Sequence, residues 1–343
     1  KNSYISGNSA HSGSGIFSHT NSTIELNDQS RISGNIAENG GGVWSSDHST
    51  VSLNDHSSIS GNGATYGGGI YNYYGSTVRL SGQSNVAENV ATYGAGVYNL
   101  DNSTVNLLEN GSISNNSAVW GGGIHSSSYS AVNLSGSSSI RGNTAYKGGG
   151  ILNINSSMVS LNDDSHIVDN TAYEGSGIWS SDLSTVSLSD YSSISGNIAK
   201  YFGGGIYNGD CSTVNLNDHS TISGNEAANG GGIYNGDYST VNLNDHSTIS
   251  GNEAAKGGGI YNKHFNTVSL SDRSSIRDNT AREYGGGICN SYNIFSSNTT
   301  VNLNDHSTIS GNEAANGGGI YNRYYNTVSL NDHSSISGNT AKD

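Results

Sequence analysis

The stretch Ser57-Ser-Ile-Ser-Gly-Asn-Gly-Ala-Thr-Tyr-Gly-Gly-Gly-Ile-Tyr-Asn72 contains the pattern that decides the fold. Its apolar residue Ile70 follows a glycine triplet, and this glycine-rich anchor returns mostly every 27 residues along nearly the whole chain. A fixed period in this range is typical of solenoids, in which each repeat stacks on the next. The apolar residue of the anchor lies at Ile16, Val43, Ile70, Val97, Ile124, Ile151, Ile178, Ile206, Ile233, Ile260, Ile288 and Ile320.

Within one repeat, apolar residues alternate with small polar ones. Thr50-Val-Ser-Leu53, Ser57-Ser-Ile-Ser60 and Gly69-Ile-Tyr-Asn72 each have the period of two that is typical of half-buried strands. No apolar stripe with a 3.6-residue period appears, which excludes a helical solenoid. The sequence therefore predicts an all-β fold, a single-stranded right-handed parallel β-helix of about 12 coils of 27 residues with three short strands per coil. We expect one continuous β-helix over residues 1–343, with incomplete coils at both ends and a loop insertion at 291–298.

Stacking turns each recurring position into a ladder with a spacing of about 4.8 Å. Counted from the anchor residue as position 1, position 20 is always Asn, and we expect its stacked amides to bond to one another and to backbone carbonyls in a turn. The glycines at positions 25 to 27 allow a positive φ or a close backbone approach. The predicted structural ladder consists of Asn35, Asn62, Asn89, Asn116, Asn143, Asn170, Asn197, Asn225, Asn252, Asn279, Asn312 and Asn339.

Composition and charge narrow the function classes. The chain has 49 Gly, no Pro and a net charge of −14, and this acidic balance argues against nucleic acid and anionic membranes as partners. No apolar run approaches the length of a membrane span, so we expect no membrane insertion by this segment. Cys211 and Cys289 lie three coils apart, too far for a disulfide. The composition is typical of an extracellular, cell-surface protein.

The aromatic residues give the clearest candidate site. Of 28 Phe, Trp and Tyr residues, all but Tyr4 and Tyr191 fall between position 23 of one coil and the loop after position 3 of the next. If position 1 points inward, position 2 points outward, and one face carries the rings. Such a face fits protein or glycan contacts, although the rings could also stack on one another and only shield the strand, or the orientation could be reversed. The predicted interaction face consists of Trp44, Tyr71, Tyr73, Tyr74, Tyr98, Trp120, Trp179, Tyr207, Tyr234, Tyr261, Tyr292, Phe295, Tyr321 and Tyr324.

Two other columns offer alternatives. An acidic column at position 13, which includes Asp55 and Asp218, could hold calcium between coils, but Asn-Asp is also ordinary turn chemistry. We therefore expect no dedicated metal site and keep calcium as the one possible cofactor. A threonine column at position 8 resembles the hydroxyl arrays of ice-binding solenoids, although outward Thr is also favoured in any strand. Ala131 and Met158 interrupt this column.

Catalytic chemistry finds no support in the pattern. Enzymes with this architecture need clustered carboxylates for acid–base work, usually in long loops. The largest insertion, at 291–298, contains no Asp, Glu, His, Lys or Arg. The glycine triplets recur with the repeat, which indicates corners of the coil and not a phosphate-binding loop. We expect no enzymatic activity and no catalytic residues.

A family resemblance follows from the repeated motifs. The pair Ile59-Ser-Gly-Asn62 and Gly67-Gly-Gly-Ile70 resembles the paired Phe-x-x-Asn and Gly-Gly-Ala-Ile/Leu/Val motifs of chlamydial polymorphic outer membrane proteins, with one copy in each coil. It is also similar to β-helical repeats of adhesin-like surface proteins of bacteria and archaea. Ile mostly replaces Phe in the first motif, and Gly mostly replaces Ala in the second. The resemblance implies surface display and attachment, with no catalytic residues.

Two functions from different classes remain open. The first is an adhesin-like or structural rod whose aromatic face contacts a cell-surface protein or glycan. The second is a self-assembling subunit of an extracellular filament, sheath or surface layer, in which copies of the chain contact one another. An ice-binding β-solenoid is a minor third alternative.

Overall fold

The computed structural model describes residues 2–290 and 298–342 and forms an all-β parallel β-solenoid of about twelve turns. Three strands occur in each turn, and the described residues contain no helix, hence none that could span a membrane. The predicted fold class is confirmed. The chain divides into two compact units, Lys1–Ala172 (unit 1) and Tyr173–Asp343 (unit 2), which are described separately.

The first row of strands, called the aromatic row, begins at each glycine anchor. Its strands pair in parallel at equal repeat positions, as in Tyr71 opposite Tyr98 and Tyr207 opposite Tyr234. In unit 1 the strands are Ile16–His19, Val43–Ser46, Ile70–Tyr73, Val97–Leu100, Ile124–Ser127 and Ile151–Asn153. In unit 2 they are Ile178–Ser180, Ile206–Asn208, Ile233–Asn235, Ile260–Asn262, Ile288–Asn290 and Ile320–Tyr321.

The second row, called the threonine row, follows after a short loop. Its register is again one repeat, as in Thr77 opposite Thr104. The unit 1 strands are Thr23–Leu26, Thr50–Leu53, Thr77–Leu80, Thr104–Leu107, Ala131–Leu134 and Met158–Leu161. The unit 2 strands are Thr185–Leu188, Thr213–Leu216, Thr240–Leu243, Thr267–Leu270, Thr300–Leu303 and Thr327–Leu330.

The third row, called the serine row, completes the three predicted strands. The unit 1 strands are Tyr4–Ser6, Arg31–Ser33, Ser58–Ser60, Asn85–Ala87, Ser112–Ser114, Ser139–Arg141 and His166–Val168. The unit 2 strands are Ser193–Ser195, Thr221–Ser223, Thr248–Ser250, Ser275–Arg277, Thr308–Ser310 and Ser335–Ser337.

A short fourth row, called the corner row, was not predicted. It forms where the chain turns from the serine row toward the next glycine triplet, and in several coils it is replaced by isolated bridges. The unit 1 strands are Gly63–Tyr66, Val90–Tyr93 and Ser117–Trp120. The remaining strands are Thr171–Glu174, Ile198–Phe202, Glu226–Asn229, Glu253–Lys256, Thr280–Tyr284, Glu313–Ala314 and Thr340–Ala341.

The core follows the alternation of the strands. In the third coil Ile70, Val78, Leu80 and Val86 are fully buried, while Tyr71, Thr77, Arg79 and Asn85 beside them are half-buried or exposed. Stacked β-branched and leucine side chains of this kind supply most of the burial in each coil. Because Ile70 points inward, position 2 of the aromatic row points outward, and the reversed orientation is excluded.

The predicted asparagine ladder is confirmed. In unit 1, Nδ2 of Asn62 donates to Oδ1 of Asn89 at 3.0 Å, and the Asn62 backbone N–H donates to the same oxygen at 2.9 Å. Nδ2 of Asn62 also donates to the carbonyl of Ile32 at 3.2 Å. The same pattern occurs in unit 2, where Asn225 donates to Asn252 at 3.0 Å. Each buried amide thus satisfies several polar groups at the turn.

A second asparagine ladder lies at position 3, inside the aromatic row. In unit 2 serine occupies this position only at Ser180 among the described coils, and from Asn208 onward Nδ2 of Asn208 donates to Asn235 at 2.9 Å, as does Asn235 to Asn262. In unit 1 serines interrupt it, and Asn99 donates to the hydroxyl of Ser126 at 3.3 Å. The fully buried amides of this ladder also bond to backbone carbonyls. The two units therefore share the first ladder and differ in the second.

The glycine triplet is required by two separate geometries. Gly67 has a φ of +65°, in the left-handed region that glycine adopts without steric cost. A Cβ on Gly69 would lie 2.6 Å from the carbonyl oxygen of Gly96 on the next coil, so position 27 admits no side chain. Both predicted roles of these glycines occur, at different positions of the triplet.

Candidate functional site

The outward rings of the aromatic row form a column of contacting rings in each unit, stacked in part and tilted or edge-on between Tyr71, Tyr98 and His125. In unit 1 Phe17 and Trp44 stack with ring centroids 4.3 Å apart, and the column continues through Tyr71 and Tyr98 to His125. In unit 2 Trp179 and Tyr207 stack at 5.2 Å, followed by Tyr234 and Tyr261. Stacking at coil spacing uses the ring faces within the protein itself.

Burial changes the chemistry of these columns. Loss of solvent raises the pKa of Tyr71 to about 12, and the same cause raises the pKa of Tyr234, which is only 7% exposed. Burial lowers the pKa of His125 to about 4, so its imidazole is neutral near neutral pH. The column side chains therefore resemble a packed outer layer, with part of each ring still open to solvent.

The corner residues close the side of the column. Tyr66 stacks on Tyr93 at 5.0 Å and lies 5.4 Å from Tyr98. Trp120 meets Tyr146 edge-on at 6.1 Å in unit 1, and Tyr284 lies 4.7 Å from Tyr321 in unit 2. Many rings of the predicted face thus contact other rings of the same protein. Tyr292 and Phe295 of that predicted face lie outside the described residues.

Several exposed aromatic rings lie in the loop between the aromatic and threonine rows, among them Tyr74, Tyr129 and Tyr238. Each such loop among the described residues contains one or two residues with a positive φ, and we call these residue pairs the αL loops. They are 20–21, 47–48, 74–75, 101–102, 128–129, 155–156, 182–183, 210–211, 237–238, 264–265 and 324–325. Tyr74, with a φ of +50°, is 55% exposed, and Tyr238, with a φ of +55°, is 61% exposed.

This backbone conformation is unusual for large side chains. Gly, Asn and Asp tolerate it, whereas other residues pay a local cost of roughly 1–3 kcal/mol. A hydrogen bond to the next coil fixes it, as when the N–H of Tyr238 donates to the carbonyl of His264 at 3.0 Å. An exposed Tyr or Leu there gains little burial in return. The αL loops therefore hold large side chains in solvent against the local preference of the chain.

The two units differ at the second αL-loop position. In unit 1 it is occupied mainly by small or polar residues, namely Asn21, His48, Gly75, Asn102, Tyr129 and Ser156. In unit 2 four successive coils carry an apolar or sulfur-containing side chain, Leu183, Cys211, Tyr238 and Phe265, which we call the apolar ridge. Leu183 is 67% exposed, and the Tyr238 and Phe265 rings stack at 5.0 Å.

Charged groups flank the apolar ridge. The first αL-loop residues beside it are Asp182, Asp210, Asp237 and His264. Asp237 pairs with Lys263 at 2.8 Å and lies 3.5 Å from Nδ1 of His264. Desolvation lowers the pKa of His264, against the opposing effect of the Asp237 carboxylate. The ridge is an apolar strip with a largely acidic border.

Sequence reasoning placed the rings on one side but did not separate the half-buried columns from the exposed αL loops. Positive φ at a tyrosine cannot be read from its identity. The available signal was the turn chemistry of neighbouring coils, where Asp101-Asn102 and Tyr74-Gly75 occupy the same loop.

The acidic column forms turns that differ between the units. In unit 1 carboxylates cap the preceding coil: Glu109 accepts the N–H of Gly82 at 2.9 Å and Asp163 that of Gly136 at 3.0 Å. In unit 2 His219 and His246 follow the aspartates, and their exposed rings stack at 4.9 Å. These bonds are the turn chemistry expected of Asn-Asp. Within residues 2–290 and 298–342 no group of three His, Cys, Asp or Glu side chains is placed to hold a metal ion.

The structure also shows where the threonine column and the two cysteines lie. The threonine column is interrupted in unit 1 by Ala131 and Met158, and in unit 2 it runs through all six strands of the row. Both cysteines are unbridged: Cys211 is exposed on the apolar ridge, whereas Cys289 is buried, which raises the pKa of its thiol to about 12.

Comparison with known proteins gives one match. Residues 246–263 match the family model for the Chlamydia polymorphic membrane protein (Chlamydia_PMP) repeat. No curated protein and no solved structure matches the chain. The matched segment runs from the acidic turn of one coil through the asparagine ladder and the glycine triplet to the aromatic row of the next coil. Together with the parallel β-solenoid, this match supports an adhesin-like β-helix repeat protein.

Proposed function

We propose that the chain is a non-enzymatic, extracellular surface protein of the adhesin-like type, which binds an external partner through its αL loops. The observation that carries the proposal is the set of large side chains held exposed in a left-handed backbone conformation, as at Tyr74, Leu183 and Tyr238. Backbone strain at side chains that stay largely exposed to solvent is typical of functional surfaces. The polymorphic membrane protein repeat adds support for display at a cell surface.

The border of the apolar ridge indicates what kind of partner fits unit 2. Asp182 and Asp210 lie beside Leu183 and Cys211, so two copies paired through this ridge would bring carboxylates together. A partner with apolar side chains and a basic rim would meet both features. We therefore favour a different surface protein as the partner of unit 2 over a second copy of this chain.

The test is binding of the full chain to an array of extracellular-matrix proteins and glycans. The variant L183N/Y238N/F265N replaces ridge residues by asparagine, which suits the left-handed conformation and keeps the fold. We expect it to lose at least tenfold in affinity for a bound matrix protein. The control Y191N removes an equally exposed tyrosine with a φ of +65° from a turn outside the αL loops, and should bind unchanged. Equal binding by the ridge variant and the control would contradict the proposal for unit 2.

Self-assembly into a filament, sheath or surface layer is the second candidate. The continuity of the apolar ridge favours it, because unbroken exposed apolar strips promote association. Sedimentation velocity across a concentration series separates the two candidates. Association that rises with salt, which screens the acidic border, and disappears in L183N/Y238N/F265N would support self-assembly. Monomers at all concentrations would remove it.

A further inference from the structure

A shallow recess in unit 1 has the composition of a sugar-binding subsite. It has a volume of about 200 Å³ and is lined by His48, Tyr74, Gly75, Asp101 and Asn102, from the αL loops of three successive coils. We propose that this recess binds one neutral hexopyranose unit of a glycan. The inference rests on the function proposed above and names the class of ligand for the unit 1 loops.

The aromatic wall of the recess is built for stacking. Tyr74 is 55% exposed, and its ring lies 5.9 Å from the His48 ring at an angle of 55°, so the two rings are not stacked face to face. Tyr73, 6.0 Å from Tyr74, supports it from the side of the column. An open aromatic face with a polar tip fits the C–H face and hydroxyl rim of a pyranose ring. In the apolar ridge, by contrast, Phe265 covers the face of Tyr238.

A glycine at residue 75 lets the His48 ring form one wall of the recess. Gly75 has a φ of +69°, and a Cβ at this residue would lie 2.5 Å from Nδ1 of His48. The equivalent position holds a larger residue in every described coil of unit 2. Glycine therefore allows the His48 ring to pack closely against the backbone of the next coil.

The polar wall supplies hydrogen bonds of the kind that sugar hydroxyls need. Asp101 and Asn102 both have a positive φ, and the carbonyl of Asp101 accepts the N–H of Gly75 at 3.0 Å, which fixes the wall against the aromatic side. Desolvation, and after it the nearby Asp101 carboxylate, raise the pKa of Tyr73. Carboxylate and amide side chains beside a ring match paired sugar hydroxyls.

Charge selects among sugars. The lining contains one carboxylate and neither lysine nor arginine. A sialylated or sulfated sugar would bring an anion beside Asp101 with no cation to offset it. The recess therefore favours neutral hexoses over acidic ones.

The experiment measures binding of the full chain to immobilised lactose, maltose and cellobiose, with sialyllactose and a heparin oligosaccharide as acidic probes. We expect at least one neutral probe to bind, the acidic probes to bind at least tenfold more weakly, and Tyr74→Asn to lower neutral-probe affinity at least tenfold. Asparagine suits the φ of +50° at residue 74, so the variant should fold, and unchanged far-ultraviolet circular dichroism checks this. Asn102→Ala should lower affinity about threefold, and Y191N should leave it unchanged.

Several results would overturn the proposal while leaving the proposed function intact. These are wild-type affinity in Tyr74→Asn, stronger binding of the acidic probes, or no sugar binding by a chain that still binds a matrix protein through the apolar ridge. If neither sugars nor matrix proteins bind, both proposals fail.

Discussion

The same loop carries different side chains in the two units of this solenoid. In unit 1 the second αL-loop position is mainly small or polar, as at Gly75 and Asn102, whereas in unit 2 it forms the apolar ridge. Both loops have the same left-handed backbone and the same hydrogen bond to the next coil. The repeat therefore fixes the backbone, while the residue type at one loop position varies and determines the chemistry of the surface.

Both units contain the asparagine ladder at position 20, and we expect its disruption to give the largest loss of stability. We expect Asn116→Ala and Asn252→Ala to lower the free energy of unfolding by about 4 kcal/mol each, because each change orphans two buried donors of the preceding asparagine. Urea unfolding measures the cost. Asn133→Ala removes a half-buried surface amide of the threonine row and serves as control, with an expected cost below about 1 kcal/mol. Ladder variants no more destabilised than this control would contradict the shared scaffold.

The buried imidazole of unit 1 should make that unit sensitive to acid. The pKa of His125 is lowered to about 4 from an ordinary 6.5, so the unfolded state takes up a proton first as the pH falls. The stabilisation is complete above pH 6.5 and is lost between 6.5 and about 4, by about 3 kcal/mol in total. Hydrogen exchange around His125 at pH 7 and 4.5 measures this loss, and His125→Leu, which copies Leu152 at the same position of the next coil, should remove it. Equal acid sensitivity in His125→Leu and the wild type would contradict it.

The asparagine ladder at position 3 differs between the units, and we expect its disruption to cost less stability than disruption of the ladder at position 20. Asn235→Ser gives unit 2 the interrupted pattern of unit 1. It removes two hydrogen bonds of 2.9 Å between side-chain amides, one to Asn208 and one to Asn262. We expect a loss of about 2 kcal/mol, because a serine reaches one neighbour at best. Urea unfolding provides the measurement, with Asn242→Ala on the threonine row as the surface control. No loss beyond that of the control would show that the buried serines of unit 1 are equally good partners.

The smallest effect concerns the loop itself. Asn102→Leu places in unit 1 the kind of residue that unit 2 has at Leu183, and we expect it to cost about 1 kcal/mol, because leucine is disfavoured at a φ of +59°. Thermal unfolding measures the shift, and Asn106→Leu, on a neighbouring strand with an ordinary φ, is the control. A stabilised Asn102→Leu variant would show that the loop favours large residues for folding.

Much of the fold could be predicted because the repeat exposes it. Period, strand alternation and the Asn35-to-Asn339 ladder are visible as recurring residues, and parallel stacking converts each recurrence into a contact. The ladder at Asn208 was missed because serine replaces asparagine at that position in half of the unit 1 coils. The corner row was missed because its residues lack alternation.

The candidate site was harder to predict for a physical reason. A ring at Tyr71 and a ring at Tyr74 look alike in sequence, yet one stacks in a column and the other lies in a strained loop. Burial depends on the neighbouring coils, as when Phe265 covers Tyr238, and φ depends on the turn. The sequence pattern predicted which side of the solenoid carries the rings. Only the backbone conformation distinguished the packed column rings from the exposed rings of the αL loops.

Under the proposed function, the large αL-loop residues serve a partner and not folding. The most direct test is the thermal unfolding midpoint of L183N/Y238N/F265N beside that of the wild type. We expect a midpoint that is unchanged or higher, because asparagine relieves strain at exposed positions. A clearly lower midpoint would contradict the account, since it would show that the ridge stabilises unit 2 itself.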